Sequence, residues 1–187
     1  MSANNQTKYL VETAIFAALA MGLSLIPDFA SWFTPSFGAI VLVIFALRRG
    51  VKYGVLAGLI WGLLHFLFGR VYYLSMSQVL IEYILAFMSM GIAGLFTPSL
   101  RTALSQGYKQ KAWMIGGLAA LAAVGLRYLW HFIAGVIFWG SYAPKGTSAW
   151  MYSLSVNGTA ACLTFIFVVV VTLVLITYQA TIFLPKD

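Results

Sequence analysis

Residues 37–47 read FGAIVLVIFAL and are followed directly by RRG, and this stretch decides how often the chain crosses a membrane. A helix of these 11 residues is about 16 Å long, whereas the hydrocarbon core of a bilayer is about 30 Å thick. By length alone, the segment would be a re-entrant piece in a protein with five spans. The distribution of charge along the rest of the chain favours a sixth span.

The chain as a whole has the composition of an integral membrane protein. Its 187 residues are 62% hydrophobic and only 8% charged. Soluble domains carry about 25% charged residues, and a chain of this size cannot bury so much apolar surface within itself. Disorder is excluded as well, because disordered chains combine low hydrophobicity with high charge. The length predicts a single transmembrane domain over residues 1–187.

Five longer apolar runs can each supply a membrane-spanning helix of about 20 residues. These runs are Tyr9–Ile26, Val51–Phe68, Val79–Phe96, Trp113–Gly140 and a stretch within Trp150–Leu184. If the short segment also crosses, starting as far back as Trp32, eight of the 11 basic residues fall on one side of the membrane. Basic residues concentrate on the cytoplasmic side of membrane proteins. The sequence therefore predicts an all-α integral membrane protein with six transmembrane helices and both termini in the cytoplasm.

The net charge of +7 does not indicate a nucleic-acid-binding protein. The basic residues are few and lie in short gaps between apolar runs, as expected at cytoplasmic helix ends. The sequence contains no motif for zinc binding or for a nucleophilic serine. A motif for ATP hydrolysis is missing too, because GSYAPKGT at 140–147 has the wrong order for a phosphate loop. We therefore expect neither an enzyme nor a metal or cofactor site.

Glu82, in SQVLIEYILAF, lies within a span and must face the protein interior or a wet cavity. Two interpretations stay open at this point. The carboxylate pairs with Arg127 in a structural ion pair, or it is reserved for a cationic or donor-rich ligand. Glu12 and His65 lie near the ends of their spans, so we expect a carboxylate that is solvated or helps the helix N-terminus electrostatically, and an interfacial histidine.

Further polar and aromatic residues fall on the outer halves of the last two spans. RYLWHFIAGVIFWG contains His131 and Trp139, two helical turns apart, and WMYSLSVNG contains Tyr152 and Asn157. Together with Glu82, these side chains offer an acceptor, a stacking plane, a hydroxyl and an amide. This set suits a small, flat, nitrogen-rich cation, because stacking and cation–π contacts hold such a ring.

Small residues at helical spacing indicate close helix packing in two spans. Gly54, Gly58 and Gly62 mark one face of the third span, where packing inside the protein is expected. Ala14 and Ala18 mark one face of the first span. Two interpretations stay open for them, packing inside the protein and contact with another membrane protein.

WGLLHFLFGRVYYLSMSQVLIEYILAF, RYLWHFIAGVIFWGSYAPKG and YSLSVNG resemble the thiamine-specific S component of energy-coupling factor (ECF) transporters. The resemblance runs over nearly the whole chain. It implies a six-helix subunit in the bacterial cell membrane that binds thiamine from outside. It also implies that the subunit docks on a shared transmembrane subunit with two ATP-binding subunits and releases thiamine inside.

The resemblance also assigns roles to individual residues. Glu82 resembles the acid that meets the aminopyrimidine and the thiazolium charge, and Trp139 resembles the stacking tryptophan. Polar and aromatic partners of thiamine are implied at His131, Tyr152, Asn157, Tyr83, Tyr72 and Trp32. In the loop PDFASWFTP, at 27–35, the tryptophan belongs either to a lid or to an interfacial aromatic belt. Ala14 and Ala18 are similar to the small-residue face that docks on the shared subunit.

Two other functions stay open on the sequence alone. The chain could serve as an S component for another small cationic or pyrimidine-like compound, or as a membrane scaffold without a ligand. In the second case the inward polar residues would only hold helices together.

Overall fold

The computed structural model describes residues 3–26 and 35–185. Within these ranges the chain forms helices joined by short turns, and no β-strand. The main helices are α1 (Ala3–Leu23), α2 (Gly38–Arg49), α3 (Val51–Leu67), α4 (Met76–Ser105), α5 (Lys109–Phe138) and α6 (Ala149–Tyr178). Single 3₁₀ turns follow at Gly140–Tyr142 and Ala180–Phe183.

The all-helical fold predicted from the sequence is confirmed, and each predicted span overlaps one helix. Three described helices, α4, α5 and α6, are long and apolar enough to cross a membrane by length and composition. Helix α3 is a shorter apolar helix of 17 residues. The number of crossings and the side on which the termini lie stay predictions.

The short segment that decided the sequence argument forms α2, a helix of 12 residues at the centre of the bundle. The side chains of Leu42, Val43, Phe45 and Leu47 are completely buried. Helices α1, α3, α4 and α6 all pack against α2. A helix that is apolar on all sides must be surrounded by other elements, which explains its central position.

Helix α4 departs from regular α-helical geometry in two places. Leu80–Leu85 is π-helical and contains Glu82, while Ser89–Phe96 is 3₁₀-helical. Continuous 3₁₀ runs longer than three or four residues are uncommon, and π-helical turns occur frequently at functional sites. The distortion therefore directs attention to the part of the bundle around Glu82.

The glycines of α3 bring its backbone into close contact with α4. A Cβ atom on Gly54 would lie 3.0 Å from the Cα atom of Gly91. Cβ atoms on Gly58 and Gly62 would collide with the backbone carbonyl groups of Phe87 and Tyr83. The predicted internal packing role of the three glycines is confirmed, since any side chain there would push α4 away.

A cluster of charged residues joins α1, α2, α4 and the C-terminal segment at one end of the bundle. The Arg49 guanidinium donates two hydrogen bonds to the Glu12 carboxylate, at 2.6 and 2.8 Å, and Arg48 lies 3.3 Å from the same group. Arg48 also donates to the carbonyl of Ile182, and Arg101 donates to the carbonyl of Arg48. The expectation of a solvated Glu12 was wrong, because two arginines bind its carboxylate. The sequence pattern did not reveal this pairing, since the arginines lie 36 and 37 residues further along the chain.

Candidate functional site

A cavity of about 770 Å³ lies between helices at the end of the bundle opposite this basic cluster. It is bordered by the loop before α4, by the N-terminal parts of α4 and α6 and by the C-terminal part of α5. Among its lining residues are Tyr72, Glu82, Gly135, Trp139, Tyr152, Ser153 and Asn157. Five of the residues predicted from the sequence thus meet at one cavity, although they come from four separate stretches of chain.

Glu82 is surrounded by hydrogen-bond donors. The indole nitrogen of Trp139 donates to its Oε1 atom over 3.1 Å, and the Gln78 side-chain amide donates to Oε2. The Nδ1 atom of His131 lies 4.0 Å from Oε1. The carboxyl side chain keeps 12% of its surface exposed. A ligand in the cavity can therefore reach a carboxylate whose direction is already fixed by two neighbours.

An ion pair between Glu82 and Arg127, one of the two interpretations open at first, is not formed. The Nη1 atom of Arg127 donates to the hydroxyl oxygen of Ser36 over 2.7 Å. Its guanidinium carbon lies 4.7 and 4.5 Å from the ring centroids of Trp61 and Phe87. Arg127 precedes His131 by four residues on α5, and His131 is the residue next to Glu82. Along the helix axis, Arg127 therefore lies about 6 Å further from Glu82 than His131 does.

Asn157 and His131 are joined by a hydrogen bond between α6 and α5, next to the large cavity. The Asn157 amide donates to the backbone carbonyl of His131 over 3.3 Å and to the Ser153 hydroxyl over 3.1 Å. His131 borders a second, smaller cavity rather than the large one, and Asn157 borders both. The inward position expected for the amide is observed, because its hydrogen bonds are made inside the bundle.

Tyr72 and Tyr83 hold the loop between α3 and α4. Tyr72 is 74% exposed, lines the large cavity and meets the ring of Trp139 edge to face at 6.2 Å. Its backbone amide donates to the Tyr83 hydroxyl over 3.0 Å. Tyr83 itself does not line the cavity; its ring packs against Phe66 and Phe87. In this structure Tyr83 therefore contacts the loop that borders the cavity and not the cavity itself.

The remaining predicted residues lie away from the cavity. Trp32 falls at 27–34, outside the described residues. Ala14 and Ala18 lie on the exposed face of α1, beside Val11, Ile15 and Leu19, which are each about half exposed. The alanines therefore do not pack inside the bundle. Internal packing, one of the two interpretations open for them, is wrong for this structure.

Three residues of the site escaped the sequence analysis. Gln78 is completely buried, precedes Glu82 by one helical turn and also accepts a hydrogen bond from the backbone amide of Leu74. Gly135 stands midway between His131 and Trp139, where a Cβ atom would lie 2.9 Å from the Asn157 amide. Ser153 precedes Asn157 by four residues. Each of the three lies four residues from a residue that was predicted, and this spacing was the available signal, because it places both side chains on one helix face.

The arrangement is suited to holding a cation by noncovalent contacts. It offers a carboxylate, an indole face, tyrosine rings and an amide oxygen, which together match a flat cationic ring. Among residues 3–26 and 35–185, no group of three His, Cys, Asp or Glu side chains is placed to hold a metal ion. Fold and site together define a helical membrane protein with a ligand cavity between its helices.

Comparison with known proteins identifies the family. The family described as "Thiamine transporter protein (Thia_YuaJ)" matches residues 10–184. The thiamine transporter ThiT of Lacticaseibacillus paracasei is 38% identical, over 100% of this chain and 96% of its own length. ThiT of Bacillus subtilis is 35% identical, over 91% of each chain.

A solved structure agrees with the sequence relatives. ThiT from Listeria monocytogenes superimposes with a TM-score of 0.91 at 39% identity, covering 96% of this chain and 98% of that one. This chain belongs to the thiamine transporter family, so the family resemblance indicated by the sequence motifs is confirmed.

Proposed function

We propose that this protein is the thiamine-binding S component of an ECF-type vitamin importer in the bacterial cell membrane. In this proposal it binds thiamine from the outside in the large cavity and performs no chemical step itself. Transport follows when it docks on a shared transmembrane subunit that carries two ATP-binding subunits. The names of its relatives support thiamine as the ligand.

The observation that carries the proposal is the carboxylate of Glu82 beside the indole of Trp139. The ring of Trp139 and the carboxylate meet at the wall of one cavity, which Tyr152 and Asn157 also line. We assign Glu82 to the positive charge and amine of thiamine and Trp139 to stacking on one of its rings. His131, Tyr72 and Tyr83 support this site, and Trp32 is proposed to cover it.

The orientation in the membrane follows from the two ends of the bundle. We propose six crossings with both termini in the cytoplasm. The cluster of Glu12, Arg48 and Arg101 brings the first turns of α1 and the C-terminal segment to one end, together with most of the basic residues. Basic residues favour the cytoplasmic side. The cavity then opens toward the outside, where an importer must capture its ligand.

Docking is assigned to the exposed face of α1. Ala14 and Ala18 are exposed among larger apolar side chains, and small residues let another helix approach closely. This face is separate from the cavity. Binding and docking can therefore be tested one at a time.

Titration with thiamine, followed by tryptophan fluorescence in detergent, tests the binding function. Saturable quenching is expected for the parent protein and should be lost in Trp139→Phe. Glu82→Gln keeps the shape of the side chain and removes its charge, so the Kd should rise about tenfold to 150-fold, as for one charged hydrogen bond.

Trp113→Phe is the matched control for the fluorescence signal. Trp113 is 41% exposed and donates to Thr177, away from the cavity. This variant should quench as the parent does. Neither quenching nor thermal stabilisation by thiamine in the parent protein would overturn the proposal and favour a scaffold without this ligand.

Ala14→Trp tests docking independently of binding. The bulky side chain should block the approach of a partner helix, so uptake of thiamine by cells should be abolished while the Kd of the purified protein stays unchanged. Normal uptake in cells carrying this variant would exclude the α1 face as the docking surface.

A further inference from the structure

The end of the bundle opposite the large cavity carries a strong excess of positive charge. Its cations come from α1, from the corner between α2 and α3, from α4 and from the start of α5: Lys8, Arg48, Arg49, Lys52, Arg101, Lys109 and Lys111. Among residues 3–26 and 35–185, Glu12 is the one acidic side chain at this end, and Arg48 and Arg49 share it. The ion pairs of the fold therefore account for only part of this charge.

Four of these cations have no carboxylate within ion-pair distance in the described part of the chain. Lys52, Lys109 and Lys111 are exposed. Arg101 is partly buried and donates from Nη2 to the carbonyl of Arg48 over 2.7 Å, while its buried Nε atom has no hydrogen-bond partner among the described groups. We call Lys52, Arg101, Lys109 and Lys111 the cationic patch.

Hydrogen bonds bring the segments that carry the cationic patch together. The bond from Arg101 to the carbonyl of Arg48 holds the last turns of α4 against the corner from which α3 starts. Gly107 has a φ of 74°, and the amide of Tyr108 donates to the carbonyl of Ala103 over 2.9 Å. This tight turn makes α5 begin beside the end of α4. The cationic patch therefore spans neighbouring ends of α3, α4 and α5.

The stability of α5 does not explain its two lysines. Lys109 and Lys111 lie in the first turn of the helix, which contains no acidic residue, and the side chain of Tyr108 does not cap it. The N-terminus of a helix carries a partial positive charge, so cations placed there weaken the helix. An anion supplied from outside the chain would remove this repulsion.

The exposed face of α5 continues from Lys111 into apolar side chains. Met114, Leu118 and Leu121 are each about half exposed. They follow Lys111 at spacings of three or four residues, so they lie on the same helix face. The nearby Trp113 is exposed as well, as is typical of tryptophan at the level of lipid headgroups. A cation followed by an apolar face matches a ligand that has an anionic head and hydrocarbon chains.

We propose that the cationic patch binds the headgroup of an anionic phospholipid, whose acyl chains lie along Met114, Leu118 and Leu121. Clusters of lysine and arginine at the ends of transmembrane helices attract anionic lipids by charge. A free phosphate ion would meet the same cations and leave the apolar face unused, so we assign the patch to a lipid. The patch is separate from the large cavity, and this inference does not depend on thiamine binding.

Lipid titration of the purified full-length protein in an uncharged detergent tests the proposal. Phosphatidylglycerol should raise the temperature of unfolding in a saturable way, and phosphatidylcholine should not. In the double variant Lys109→Gln with Lys111→Gln, the apparent Kd for phosphatidylglycerol should rise about 30-fold, since each charge near an anionic lipid contributes about fivefold. Without lipid, this variant should unfold at a temperature no lower than the parent does, because its lysines do not stabilise α5.

Arg70→Gln with Lys145→Gln is the matched control. It removes the same number of charges from exposed positions at the other end of the bundle, so its Kd for phosphatidylglycerol should equal that of the parent. Equal weakening in the two double variants would show that only net charge matters, and it would overturn the patch. An unchanged Kd in Lys109→Gln with Lys111→Gln would overturn it too, as would equal stabilisation by the two lipids.

Inorganic phosphate distinguishes a lipid from a free anion. At equal ionic strength, phosphate should stabilise the parent protein no more than chloride does. Stabilisation by phosphate as strong as that by phosphatidylglycerol would overturn the lipid assignment. The Kd for thiamine should be the same in the parent and in both double variants, which also shows that the variants are folded. Absence of thiamine binding by the parent would overturn the proposed function and leave the result on lipid binding in force.

Discussion

The two acidic side chains in the described part of the chain, Glu12 and Glu82, are nearly equally buried and yet differ in their partners. Glu12 is bound by two arginines at the basic end, with 18% of its side chain exposed. Among residues 3–26 and 35–185, Glu82, with 12% exposed, meets the uncharged donors of Gln78 and Trp139 and a histidine at 4.0 Å. A carboxylate paired with arginine stabilises the fold. One held by neutral donors beside a cavity has no arginine or lysine partner among the described residues, in keeping with the ligand-binding role proposed for Glu82.

The largest expected effect concerns the paired carboxylate. Glu12→Gln would remove the charge of the carboxylate that accepts two hydrogen bonds from the Arg49 guanidinium, a side chain of which only 2% is exposed. The free energy of unfolding should fall by about 3 kcal/mol, as for the weakening of two hydrogen bonds between charged groups. Thermal unfolding in detergent measures the loss. The Kd for thiamine of the folded protein should not change, and a weaker affinity with unchanged stability would break the comparison.

The next largest effect concerns the neutral donors that hold Glu82. Gln78→Leu removes the amide that binds the carboxylate and also the acceptor for the Leu74 amide. Loss of a hydrogen bond to a charged group should weaken thiamine binding by about 1.5 to 3 kcal/mol, which isothermal titration can measure. Gln106→Leu, an exposed change at the basic end, is the control and should bind as the parent does. A full-strength Kd in Gln78→Leu would show that Trp139 alone positions the carboxylate.

The smallest effect concerns the loop that Tyr83 holds. Tyr83→Phe deletes the hydroxyl that accepts from the Tyr72 backbone amide and keeps the ring packed in place. The cost to thiamine binding should be about 0.5 to 1.5 kcal/mol, as for one neutral hydrogen bond. Hydrogen exchange at residues 69–75 should become faster in the same variant. Exchange at the parental rate would mean that the loop is held by other contacts.

The sequence predicted the helices and most of the cavity because both depend on local patterns. Apolar runs located six helices, and spacings of four residues placed His131 and Trp139 on one face. The partners of Glu82 and Glu12 could not be predicted in the same way. They depend on how helices are rotated against one another, and the π-helical turn in α4 and the contact of α1 with α2 leave no local signal. The completely buried Gln78 was missed because a polar residue at a helix end is usually solvated.

The π-helical segment Leu80–Leu85 has one further consequence, which concerns the number of residues in α4. A π-helical turn accommodates one residue more than an α-helical turn, and each residue turns an α-helix by about 100°. Downstream of it, Phe87 and Gly91 are fixed against the glycines of α3. The direction in which Glu82 points is therefore encoded by residue count as well as by residue type. A chain lacking Ile84 or Leu85 would keep every polar side chain of the site and still turn its carboxylate away from the cavity.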